Sequence, residues 1–247
     1  MISSQEISII IPIAAHETAW KFLLRDLIDA SFRGEIILSA QEDPSESDKL
    51  YFSESSQARI SWIFSPPGRA HQMNNGAKVA SGKILWFLHA DTRLSHRAVP
   101  SLLESIRQND RALFFFDLKF TSDGPKAIWL NTFGVWIRSH LFRLPFGDQG
   151  LALRRELFEN LGEFNTLAQY GEDHLLIWRA HQCRVPVISV GTSISTSARK
   201  YRVNGWMRTT LKHLYLTFAQ ALPQLWILLR RGRRLERALG RIRTRYE

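Results

Sequence analysis

Asp91 closes the stretch KILWFLHADT (residues 83–92), in which a continuous apolar run delivers a carboxylate where a buried strand should end. A short apolar run bounded by glycine and polar residues is the pattern of a strand covered on both faces, as in parallel α/β sheets. Open sheets of that kind bind ligands in the crevice outside the carboxyl ends of their strands, which is where Asp91 falls, with His89 on the same side of the strand. Just upstream, Arg69 and Gln72 are three residues apart and share one face of a helix that begins behind Pro66-Pro67-Gly68. Free backbone N–H groups and the helix dipole at that end favour an anionic ligand such as a nucleotide. Two later groupings also carry carboxylates. Asp148-Gln149 is a polar pair in a glycine-bounded loop, and Glu172-Asp173 stands in the first turn of a helix opened by Gly171. Taken singly, each of these acids could simply cap a helix or offset its dipole.

The elements that must position these residues alternate. Ile7 to Ile13 reads as a strand and about Glu17 to Ala30 as a helix, the opening of a βαβ unit. Strands follow at 35–38, 60–64 and 84–88, with helices within 45–56 and over 69–80. Beyond Asp91 the reading is helix 99–108, strand 113–120, helix 128–142, a short strand at 151–153, helix 156–161, the helix from Gly171 and a late strand at 185–190. No internal repeat and no low-complexity linker interrupts them. The expected division is one α/β domain over 1–205, with 1–95 holding the nucleotide and 96–205 the acceptor, and a basic amphipathic helical tail over 206–247.

Charge and composition narrow the partners. The chain has 247 residues and a formal net charge of +10, but its arginines gather between Leu229 and Arg245. They do not run along a face interleaved with aromatics, which argues against nucleic acid and leaves an anionic membrane surface as the expected target of the tail. Leu211, Leu214, Phe218, Leu222, Leu225 and Trp226 precede the cluster at helical spacing, as in a helix lying on a membrane or one covering a core or a dimer seam. The run from Leu214 to Leu229 is interrupted by Thr217, Gln220, Pro223 and Gln224 and is short for a membrane span. A single cysteine, Cys183, excludes an internal disulfide and a cysteine-based zinc site, and the first residues lack the pattern of a secretory signal. A cytoplasmic protein is expected, peripheral on the inner face of the membrane.

The segment GRAHQMNNGAKVASGKILWFLHADT, with ISIIIP at the start and the later PFGDQGLALRRELFENLGEF, YGEDHLLIWRA and TSAR, resembles a family 2 glycosyltransferase of the GT-A fold. More narrowly, it resembles a small bacterial subgroup carrying GRAxQMNxGA, FLHADT, GDQG and a late TSAR segment. The resemblance runs from about Ile7 to about Tyr215 and implies an inverting transfer of a sugar, of hexosyl type, from a nucleoside-diphosphate sugar to an acceptor hydroxyl on a lipid-linked or glycan acceptor. Such a reaction needs a cation to neutralise the leaving diphosphate, a base for the acceptor and a pocket for the nucleobase. The resemblance makes Asp91 the ligand of Mg²⁺ or Mn²⁺, Asp173 the base and Glu172 its neighbour. It places Pro12, Glu17, Arg69, Gln72 and His89 at the donor, and Asp148 and Gln149 on the acceptor side.

The chain departs from the wider family at three points. His89 stands where the first Asp of an Asp-x-Asp is common, leaving one acidic ligand; His174, His181 and His213 are unranked candidates for another. His16 replaces a usual Asn. The second strand ends in Ser39-Ala40-Gln41-Glu42-Asp43-Pro44, with Asp43 late for the family's nucleoside-binding Asp. A nucleotidyltransferase of related fold, or a donor-binding or membrane-surface scaffold without turnover, are the readings to set against transfer. A haloacid-dehalogenase phosphatase is excluded because Arg93 occupies its second Asp position, and no Gly-Lys-Ser/Thr phosphate loop is present.

Overall fold

Isoleucines on alternate sides of the first strand decide the layers. In the computed structural model, which describes residues 3–243 except for the side chains of 231–243, β1 (Ile7–Ile13) is buried along its whole length. Ile9 and Ile11 join a core with Leu23, Leu24 and Leu27 of α1 (Trp20–Asp29), whereas Ile10 joins a second core with Met73 and Ala77. The period-two alternation of a strand thus places one helical layer on each face of the sheet.

β1 pairs in parallel with β2 (Glu35–Ala40), and α2 (Glu46–Ser55) leads to β3 (Arg59–Phe64), parallel to β2 at the sheet edge. α3 (Arg69–Val79) then crosses to β4 (Ile84–Phe87), parallel to β1 on its other side. Gly76 permits the close approach of α3 to β1, since a Cβ there would lie 2.5 Å from Ile10 Cγ2. With α3 seated so deeply, its first turn overhangs the strand ends.

α4 (Ala98–Gln108), β5 (Leu113–Phe120) and α5 (Ile128–His140) follow, then β6 (Ala152–Arg154) and α6 (Arg155–Asn160). β6 runs antiparallel to β4, with Trp86 opposite Ala152, and antiparallel to β5. α7 (Glu172–Gln182) precedes β7 (Val187–Thr196), which is parallel to β5 and completes a seven-stranded mixed sheet in the order β3-β2-β1-β4-β6-β5-β7. Sequence placed this last strand at residues 185–190, ending before Gly191. Gly191 instead takes φ +76°, and pairing resumes after a register shift between Phe115 and Asp117, carrying the strand to Thr196.

α8 (Arg199–Val203) and α9 (Trp206–Arg243) end the described chain. The helical tail is present, and no helix among the described residues is long and apolar enough to cross a membrane. The arginines of the expected basic cluster from Arg231 onward lie outside the described side chains. α9 packs on α7 through polar groups: His174 pairs with Gln220 at 2.8 Å and Gln182 with Gln224 at 3.0 Å. The alternative that its apolar residues cover a core does not hold for Leu211, Phe218 and Leu222, which are exposed.

Candidate active site

The strand ends, the start of α3, the loop before β6 and the start of α7 surround one cavity of about 720 Å³. Of the residues singled out in sequence, Pro12, Glu17, Arg69, Gln72, His89, Asp91, Asp148 and Asp173 line it. Glu172 and Gln149 do not; both are buried.

Gln72 is a fastener between strands. Its amide donates to the carbonyls of Ile13 and Ser39 at 2.6 and 2.8 Å, fixing the ends of β1 and β2 against each other. Glu17 accepts the backbone N–H groups of Thr18 and Ala19, both at 2.8 Å. The stretch read in sequence as the first turn of a helix is therefore a turn ahead of α1, held by the Glu17 side chain, which also lines the cavity. In the second-strand turn Gln41 lines the cavity, but Asp43 is exposed beside Lys49.

Arg69 ties the two halves of the cavity together. Its Nε donates to Glu172 Oε1 at 2.6 Å, and Nη1 lies 3.0 Å from His89 Nε2. Burial and the Arg69 charge push the His89 imidazole down to about 3, so the ring is neutral and accepts this bond. Two residues on, Thr196 Oγ1 donates to Asp91 Oδ2 at 2.9 Å and orients the carboxylate. The loop behind Asp91 is pinned by Arg93, whose guanidinium holds Asp26 at 2.7 and 2.8 Å and whose backbone N–H reaches Ser195.

A divalent cation fits this site only as a shared ligand. Among the described residues no three His, Cys, Asp or Glu side chains cluster to hold a metal. His174 is taken at one nitrogen by Gln220 and at the other by Trp178, His213 lies against Lys200 and Tyr201, and His181 contacts the Arg143 carbonyl. Asp91 offers a carboxylate beyond the end of β4, facing the cavity, which suits an ion of the Mg²⁺ type whose remaining shell comes from phosphate and water.

Two cavity carboxylates differ in how they are held. Burial acts to raise the pKa of Asp173, but Arg69 and the amides of Gly147 and His174 outweigh it and hold the group below the usual carboxylate range. Those amides donate to opposite oxygens, Gly147 to Oδ2 and His174 to Oδ1, the latter at 2.8 Å. Burial pushes Asp148 up to about 6, with Arg138 opposing and Asp173 adding to the rise. Asp148 Oδ1 has no hydrogen-bond partner. Its neighbour Gln149 was expected on the acceptor side, yet its amide is consumed in holding the loop. Oε1 accepts from Ser139, Arg138 and the Phe146 N–H, and Nε2 donates to the Phe116 carbonyl at 3.0 Å.

Sequence reasoning missed the fourth wall. Lys212, His213, Thr217 and Gln220 of α9, with Lys200 and Tyr201 of α8, line the cavity. The available signal was a polar stripe, His213, Thr217, Gln220 and Gln224, at helical spacing within an otherwise apolar segment.

The mixed sheet flanked by helices has the architecture of the GT-A fold. The profile described as Glycosyl transferase family 2 matches residues 9–167, and the chain belongs to that family of glycosyltransferases. No curated protein sequence matches it. A mannosyltransferase from Pyrobaculum calidifontis, PcManGT in complex with GDP-Man and Mn²⁺, is similar in fold with a TM-score of 0.66 at 16% identity, over 92% of this chain and 68% of that one. TarS 1–349 of S. aureus gives a TM-score of 0.59 at 15% identity over 77% of this chain, which spans only 60% of that structure. GalNAc-T7 with UDP, GalNAc and Mn²⁺ gives 0.57 at 14% identity, over 77% of this chain and 44% of that one.

Proposed function

We propose that the protein transfers a sugar, with inversion, from a nucleoside-diphosphate sugar to an acceptor hydroxyl, and that it uses Mg²⁺ or Mn²⁺. The observation that carries this reading is the convergence of Arg69, Asp91 and Asp173 on one cavity. In this reading residues 1–95 hold the donor and 96–205 receive the acceptor, with α9 supplying part of the acceptor wall. The cation, when bound at Asp91, offsets the charge that develops on the diphosphate. Arg69 faces the same phosphates from the start of α3, steadied by Glu172 and His89. Pro12 and Glu17 border the nucleoside. Asp173 takes the proton of the acceptor hydroxyl as its oxygen bonds to the anomeric carbon and the bond to the diphosphate breaks. A displacement on the face opposite the leaving group inverts that carbon.

Calorimetry with a nucleoside diphosphate tests the metal assignment. A single protein carboxylate holds the ion poorly without phosphate oxygens, so binding should be far tighter with Mn²⁺ than with EDTA, and Asp91→Asn should remove the difference. Equal affinity with and without metal in the wild type would sink the role of Asp91.

A further inference from the structure

α5 and α9 are amphipathic in the reverse of the usual sense. Ordinary surface helices turn their apolar stripe to the core, as α1 does with Leu23, Leu24 and Leu27. In α9 the polar stripe His213, Thr217, Gln220 and Gln224 faces the body of the protein. Leu211, Leu214, Phe218, Leu222, Leu225 and Leu229 are each 42–64% exposed. At 3.6 residues per turn this second stripe lies about 130° around the helix from the first. α5 repeats the arrangement: Asn131 and Val135 face inward, while Trp129, Phe133 and Trp136 are 51–63% exposed. The two helices are joined through Asn131, which accepts from Trp206 Nε1 at 2.5 Å and donates to Thr210 at 3.0 Å. Fifteen large apolar residues between Trp129 and Leu229 on these helices and the turn after α5 are each more than 40% exposed, a density that a protein facing only water rarely carries.

We propose that the outward stripes of α5 and α9 together form a docking surface for an anionic phospholipid bilayer, on which the protein lies without crossing it. Charge selects this occupant over a second copy of the chain. Residues 230–247 hold eight arginines against two glutamates, and Arg208, Lys212 and Arg230 lie on α9 itself. Pairing two such faces gathers like charge, whereas anionic headgroups neutralise it. Tryptophan at the surface fits the same boundary, since its ring is apolar and its N–H polar, and Arg230 stacks 3.3 Å above the ring of Trp226. Because α9 also forms a wall of the cavity, the helix that meets the bilayer is the one beside the acceptor site. The docking surface stands independently of how the cavity is read.

Flotation of the full-length protein with vesicles tests it, using zwitterionic lipid alone and an equal mixture with an anionic phospholipid. The wild type is expected to float with the mixture, to be released by high salt and to stay behind with zwitterionic vesicles. Phe133→Ser with Trp136→Ser on α5 should weaken binding at least ~10-fold with melting temperature little changed, because both side chains are more than half exposed. Trp129→Ser repeats the test should the double variant fail to fold. Undiminished flotation of folded α5 variants, equal binding to neutral vesicles, or a wild-type dimer that the α5 variants convert to monomer would overturn the proposal.

Discussion

The turn at Gly147–Gly150 and the start of α7 at Gly171–Asp173 each bring an aspartate to one cavity, and the fold treats them in opposite ways. At α7 the backbone does the holding: two amides and a guanidinium keep Asp173 charged below the usual range. In the other turn the backbone and Gln149 are spent on holding the loop itself, and Asp148 sits with one oxygen unpartnered and its pKa raised to about 6. Carboxylates driven apart in this manner are suited to different tasks. One is always ionised at neutral pH. The other changes charge near it.

The comparison breaks first at Asp173. Asp173→Asn keeps the shape but cannot take a proton, so kcat should fall at least ~10²-fold while donor affinity stays close to that of the wild type. Steady-state kinetics measure it; near-normal turnover would move the base elsewhere, and Asp148→Asn would be the next variant to assay. Arg69→Lys should weaken donor binding by roughly 10-fold and lower the melting temperature, because a point charge cannot serve Glu172 and His89 together. Titration with the donor and a thermal scan separate those effects.

Asp148→Asn sharpens the contrast through pH. A folded-state pKa raised to about 6 means that the native protein binds the proton more tightly than the unfolded chain. Stability from this group is therefore fully present at low pH and lost as pH rises from about 4 through about 6. Removing the charge should raise the melting temperature at pH 8 by about 2–4 °C, for about 1 kcal/mol after solvent screening, with the gain vanishing toward pH 4. Asp173 has the opposite sign, since its lowered pKa contributes stability above the unfolded value that is lost as pH falls. An Asp148→Asn gain that is constant between pH 4 and 8 would contradict the raised pKa. The smallest effect is expected for Glu172→Gln, which keeps a hydrogen bond to Arg69 and should change turnover only a few-fold in the same steady-state assay.

What sequence revealed was governed by local pattern. β1 and β5 fall where their apolar runs placed them, and Arg69, Asp91 and Asp173 lie where strand ends and helix starts present them. Gln149 was misread because a polar residue beside a charged one in a glycine-bounded loop gives no sign of what its amide will bond, and here four partners lie on three elements. The α9 wall was hidden for the opposite reason. Its apolar residues dominate the local pattern, and only tertiary contact with His174 and Tyr201 shows that the polar stripe is the inner one.

Gly171 has φ +64°, and a Cβ there would collide with Gln220 of α9. The amide of Gln220 also bonds the Tyr170 carbonyl at 3.0 Å and the His174 ring at 2.8 Å, so α9 holds a backbone group before Asp173 and a side chain after it. Exchanging the tail for that of a relative would then import a different wall, and a different grip on the carboxylate, while leaving the nucleotide-facing motifs untouched. Inheritance could revise what this protein accepts from one end of the chain.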